Sequence, residues 1–234
     1  MGNLVILHMA IILNIETATD IGSVCISKGE KILATKDGSS TFSHAKETTL
    51  MIEACLVEAG MTMQDLDAIA ISSGPGSYTS LRIGTSIAKG ICYALDKPLI
   101  AVNTLESLAF AATKIERGTI YAPMIDARRM EVYTAFYDAE MTCTLPMQPL
   151  ILEEQTFAAN IAAQETIVFA GNGAEKIKKV VNNSQFIFTD ILCAAKYLAP
   201  IALKAFDNQQ FVSVAYFEPD YLKPPNITTP KKIL

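Results

Sequence analysis

The stretch Ala68 to Asp96, AIAISSGPGSYTSLRIGTSIAKGICYALD, constrains the fold more than any other part of the chain. Ala68-Ile69-Ala70-Ile71 is a short apolar run ended by small polar residues, the pattern of a strand covered on both faces. Gly74-Pro75-Gly76 stops it, because proline has no N–H and glycine takes backbone angles that other residues avoid. Ser77 or Thr79 then caps a helix running to Leu95. Leu81, Gly84, Ala88, Ile91 and Leu95 recur at three- and four-residue steps, with Arg82, Ser86, Lys89 and Tyr93 on another side. Ile83 and Ile87 widen the apolar band beyond one core-facing stripe. A glycine turn before a helix also suits a phosphate. Here there is no Gly-Lys-Ser/Thr, the third glycine of a dinucleotide fingerprint is missing, and Pro75 removes an amide. A tight turn allowing close strand–helix packing is the reading preferred.

Around this unit the chain reads in order as follows. Ala10–Ile15, Ser23–Ser27 and Lys31–Thr35 form an antiparallel meander, and a helix from Ser43 to Ala59 is closed by Gly60. The central strand and helix follow, then a strand at Pro98–Val102 and a helix at Thr104–Thr113. That order is ribonuclease-H-like. It restarts at Ile120–Ile125 and Glu131–Tyr137, with Ile12–Glu16 and Ala122–Asp126 as matching segments that each end in a carboxylate. Cys143–Leu150, rich in proline, reads as an edge or loop. Thr156–Ala163 reads as a short helix, Thr166–Ala170 as a strand, and Ala174–Val181 as a helix after the turn Gly171-Asn172-Gly173. A helix over Ile191–Phe206 should be kinked or divided by Pro200. Two lobes are expected, residues 1–116 and 117–234, with a disordered leader at 1–8, Met1 and Met9 both being candidate starts, and a poorly ordered tail at 224–234.

The 234 residues are half apolar and 18% charged, which excludes a disordered chain. A net charge of -5 gives no electrostatic footprint for unaided nucleic-acid binding. The five cysteines are scattered with no C-x-x-C, as expected of core thiols in a reducing compartment. The apolar run from Leu4 to Ile15 lacks a basic flank and is too short to span a bilayer, so a cytoplasmic protein is expected.

The segments ILNIETAT (Ile12–Thr19), SSGPGSYTSLRIG (Ser72–Gly84), PMIDARRMEVY (Pro123–Tyr133), KYLAP (Lys196–Pro200) and PDYLK (Pro219–Lys223) resemble the bacterial TsaB (YeaZ) family. The resemblance runs from about Ala10 to Lys223. It departs at Glu16, where an aspartate is usual, and at Met130, where a glycine is usual. It implies an α/β fold of two ribonuclease-H-like lobes, that of the acetate kinase, sugar kinase, Hsp70 and actin superfamily. It also implies a non-catalytic dimerisation and organising subunit, an inactive paralogue of TsaD in the glycoprotease (M22-like) family. Its partners would be a TsaD-like catalytic subunit and a TsaE-like ATPase. Together they move threonylcarbamoyl onto N6 of adenosine 37 in tRNAs reading ANN codons, and tRNA is met only through the complex. No cofactor is required on this reading. TsaD-like proteins hold a metal with a histidine pair on the helix after the meander; here His44 is followed four residues on by Thr48, so no metal site is expected.

The candidate residues fall into two groups. Glu16, Thr17, Asp126, Gly171 and Gly173 lie at strand ends and turns bordering the inter-lobe cleft, where active relatives hold nucleotide and metal. Turn carboxylates and a plain glycine turn would give the same sequence. Leu50, Met51, Val57, Ile83 and Ile87 are expected as an exposed apolar flank of two adjacent helices, suited to a four-helix contact with a similarly built subunit or a second copy. Arg128-Arg129 with Glu131 could hold a partner's acidic groups or simply be solvated. A small-molecule kinase or ATPase of this fold is the alternative function, with the first loop, Thr17-Ala18-Thr19, lacking glycine; a metallo-glycopeptidase ranks below it.

Overall fold

The computed structural model describes residues 9–39, 44–153, 165–181 and 183–223. The leader 1–8, the tail 224–234 and the helix expected at Thr156–Ala163 lie outside these. Two five-stranded mixed sheets carry the molecule. In the first, β1 (Ile11–Glu16), β2 (Ser23–Lys28) and β3 (Lys31–Asp37) form the meander, and β4 (Ala68–Gly74) and β5 (Leu99–Asn103) extend it in parallel on the other side of β1. In the second, β6 (Ile120–Asp126), β7 (Glu131–Tyr137) and β8 (Cys143–Ile151) repeat the meander, and β9 (Ile167–Ala170) and β10 (Phe186–Phe188) repeat the parallel pair. The strand orders β3-β2-β1-β4-β5 and β8-β7-β6-β9-β10 are the same. The match between Ile12–Glu16 and Ala122–Asp126 therefore marks equivalent central strands.

Five α-helices flank these sheets among the described residues: α1 (His44–Ala59), α2 (Tyr78–Leu95), α3 (Thr104–Ile115), α4 (Ala174–Val180) and α5 (Ala195–Asp207). Local chemistry sets their ends. Gly60, at φ 65°, closes α1 and Asp96, at φ 51°, closes α2. The Asn103 side chain caps α3, accepting from the N–H groups of Leu105 and Glu106 at 2.9 and 3.1 Å. α1 and α2 bury Ile52, Cys55, Leu56, Ala88 and Cys92 against one face of the first sheet.

Two expectations change at α5. The helix starts at Ala195, four residues later than its apolar run, and continues through Pro200 without division. The lobe boundary at 116/117 separates the two sheets but not their covers. α5 follows the second sheet in sequence, yet packs Leu198 and Ala202 against Ile12, Ala70, Ile100 and Val102 of the first. Conversely, α3 follows the first sheet and packs Leu105, Leu108 and Ala112 against Tyr121, Ile125 and Val168 of the second. Each sheet thus has a covering helix supplied by the other half. Beyond α5, residues 213–223 run as a strap along α2, with the Lys89 ammonium donating to the carbonyls of Ala215 and Phe217, both at 3.1 Å.

The short strand β10 was not expected. Its Phe186 and Phe188 rings both lie 5.1 Å from the ring of Phe169, so packing on β9 supplies what three residues of propensity cannot. Cys143–Ile151 is an edge strand, in keeping with its prolines.

Candidate functional site

At the end of β1 the chain buries Glu16 and Thr17 completely, each at 0% exposure. The Glu16 Oε1 accepts from the Ala18 N–H at 2.6 Å, while Oε2 has no partner. The Ser72 hydroxyl of β4 accepts from the Thr17 N–H at 3.1 Å. Cys193, buried in the segment leading into α5, feels the Glu16 charge, and that segment is pinned by the Ala195 N–H donating to the Ser23 hydroxyl at 2.7 Å. Loss of water pushes the Glu16 carboxyl up to about 7, only partly offset by the hydrogen bonds from Ala18 and Ser72.

The glycine turn presses on the same strand end. A Cβ on Gly76 would lie 2.3 Å from the Ala18 carbonyl oxygen, and one on Gly84 2.1 Å from the Thr17 hydroxyl. The Ser77 N–H donates to that Ala18 carbonyl at 2.7 Å. Ala18 thus fills the space a phosphate would take, and the close-packing reading of Gly74-Pro75-Gly76 holds.

Asp126 stands at the equivalent end of β6 in other surroundings. It is exposed, accepts from Lys176 at 2.7 Å and from the Arg128 N–H at 2.6 Å, and its own N–H donates to the Asn172 side chain. Gly171, at φ 95°, and Gly173 let the β9–α4 turn close on β6; a Cβ on Gly171 would meet the Met124 carbonyl oxygen at 2.3 Å. The structure brings Asp126, Gly171 and Gly173 into one knot around Asn172, with Glu16 and Thr17 in another around Ser72 and Cys193. Lys176, Ser72 and Cys193 were not among the site candidates read from the sequence, and Asn172 was read only as part of the turn Gly171-Asn172-Gly173. Arg128 and Arg129 are exposed on a hairpin turn at positive φ, and Glu131 pairs instead with Lys223 of the strap.

The helix flank is partly as expected. Leu50 and Val57 of α1 are exposed at 53% and 76%, and Ile83 of α2 is half-buried. Met51 is a correction: at 8% exposure it packs into the first sheet's core, one helical step round from Leu50. Ile87 is half-buried and also packs on that core. The open apolar surface on α1 is therefore Leu50 and Val57. Among the described residues no group of His, Cys, Asp and Glu could hold a metal ion, and no helix is long and apolar enough to cross a membrane.

Two sheets of one topology with helices exchanged between them define an α/β two-lobe fold of the actin-like kinase type. A solved activator of 2-hydroxyisocaproyl-CoA dehydratase from Clostridium difficile shares that fold, with a TM-score of 0.50 at 11% identity over 86% of this chain and 96% of that one. The chain belongs to the TsaD family, described as tRNA N6-adenosine threonylcarbamoyltransferase, whose model matches residues 39–229. Within that kinship it resembles TsaB/YeaZ. It is 29% identical to the tRNA threonylcarbamoyladenosine biosynthesis protein TsaB of Escherichia coli, across 91% of this chain and 94% of that protein. The solved YeaZ from Pseudomonas aeruginosa matches with a TM-score of 0.79 and 27% identity, covering 92% of this chain and all of that one.

Proposed function

We propose that the chain is a non-catalytic subunit of tRNA threonylcarbamoyladenosine synthesis, acting in the cytoplasm by docking a TsaD-like catalytic subunit, with a TsaE-like ATPase as further partner. What supports this is the contrast between its two candidate surfaces. One of the two strand-end carboxylates, Glu16, is sealed from solvent with Thr17, while Leu50 and Val57 lie open on α1. With its carboxyl walled off from solvent, Glu16 offers no open ligand to a Mg-nucleotide, which counts against the kinase or ATPase alternative. An apolar helix flank gains most by covering itself with a similar helix pair, from the partner or, when alone, from a second copy. The pair Leu50→Asp and Val57→Asp should abolish co-purification with the TsaD-like protein and self-association in ultracentrifugation, with circular dichroism unchanged. Undiminished association, or threonylcarbamoyl transfer to tRNA by the chain unaided, would overturn the reading.

A further inference from the structure

On the other flank of α2 lies a groove of about 690 Å³ between that helix and the strap. Its helix wall carries Arg82, Thr85 and Lys89, spaced three and four residues apart and so facing one way. Thr85 is buried and its hydroxyl has no hydrogen-bond partner. Arg82 lies over the Tyr78 ring at 5.4 Å and donates to the Tyr78 hydroxyl at 2.8 Å, which leaves most of its guanidinium fork open. Two of the three Lys89 N–H groups serve strap carbonyls, leaving the third. Neither cation forms an ion pair among the described residues. Tyr221, whose ring centroid is 4.6 Å from that of Tyr78, and Phe217 give the strap side an aromatic lining. Glu218 on the rim acts on Arg82 through space.

A hydroxyl, a guanidinium and an ammonium on one wall fit a tetrahedral oxyanion better than a flat carboxylate, which a single arginine fork would satisfy. The volume exceeds one ion and suits a ligand with an apolar ring beside its charge. We propose that this groove binds the phosphate of a nucleotide unit, free or within an RNA strand, with Arg82, Lys89 and the Thr85 hydroxyl as donors. The site is separate from the α1–α2 docking flank and from the inter-lobe strand ends, and it stands whether or not the docking reading does. With a net charge of -5 the chain has no general attraction for RNA, so binding must be local to this groove.

Fluorescence anisotropy of the full chain with labelled AMP and with a short labelled single-stranded oligoribonucleotide tests it. At least one probe should bind saturably and lose affinity with added salt; the tighter one identifies the source of the phosphate. Arg82→Gln should weaken binding about tenfold or more, Thr85→Val should weaken it less, and Glu218→Gln should strengthen it. Hydrogen exchange on the unmodified chain gives a readout free of any folding defect in the variants. A saturating probe should slow exchange across α2 and residues 213–223. No saturable binding of either probe, binding indifferent to Arg82→Gln, exchange unchanged in these segments, or tighter binding of an acidic peptide than of both probes would each overturn the proposal.

Discussion

β1 and β6 hold the same place in two sheets of one topology, yet their last residues live in opposite surroundings. Glu16 is walled in by Ser72, Ala18 and the Cys193 segment, whereas Asp126 sits in water and pairs with Lys176. A glycine turn presses on each strand end, Gly76 on the Ala18 carbonyl and Gly171 on the Met124 carbonyl. The difference comes from the covering segment: the chain between β10 and α5 crosses to the first sheet and closes the end of β1. A shared topology therefore fixes where a carboxylate stands, and the cover decides whether it can meet a ligand.

The largest effects should come from the two turns. Gly76→Ala would drive a methyl group to 2.3 Å from a backbone oxygen. Gly171→Ala adds a disfavoured positive φ to the same closeness. Each should lower stability by about 3 kcal/mol in urea unfolding. A loss in only one would show that the two turns are not equivalent supports.

Next comes Glu16, whose proton is held to about pH 7 in the fold against 4.5 when solvated. A raised carboxyl pKa stabilises the fold fully below pH 4.5, and that stabilisation fades as pH rises through 7, roughly 3 kcal/mol in all. Unfolding measured from pH 5 to 8 should show this decline, and Glu16→Gln should remove it. A slope left unchanged would mean that water reaches Glu16. At the matching position, Asp126→Asn breaks a half-exposed ion pair and should cost less than about 1 kcal/mol by the same assay. Removal of the same pH dependence by Asp126→Asn would erase the contrast between the strand ends.

Much of this was legible beforehand. Alternation and turn residues located nearly every strand, and the restart at Ile120 announced the second sheet. Residues such as Leu50 and Met51 show the limit: both read as one apolar shoulder, but a 100° step between neighbours sends one into the core and the other to solvent. The groove beside α2 was equally hidden, because its two walls come from residues more than a hundred positions apart.

By itself the sequence determined the order of strands and helices and their duplication, since hydrophobic period and glycine–proline breaks act over a few residues. It also carried the family kinship, through contiguous blocks around Ser72–Gly84 and Pro123–Tyr133. Only the tertiary structure decided that α3 and α5 exchange sheets, that Glu16 is sealed, and which apolar residues remain open. Those outcomes depend on which surfaces meet across long sequence separations, where burial removes water from whatever the second segment covers.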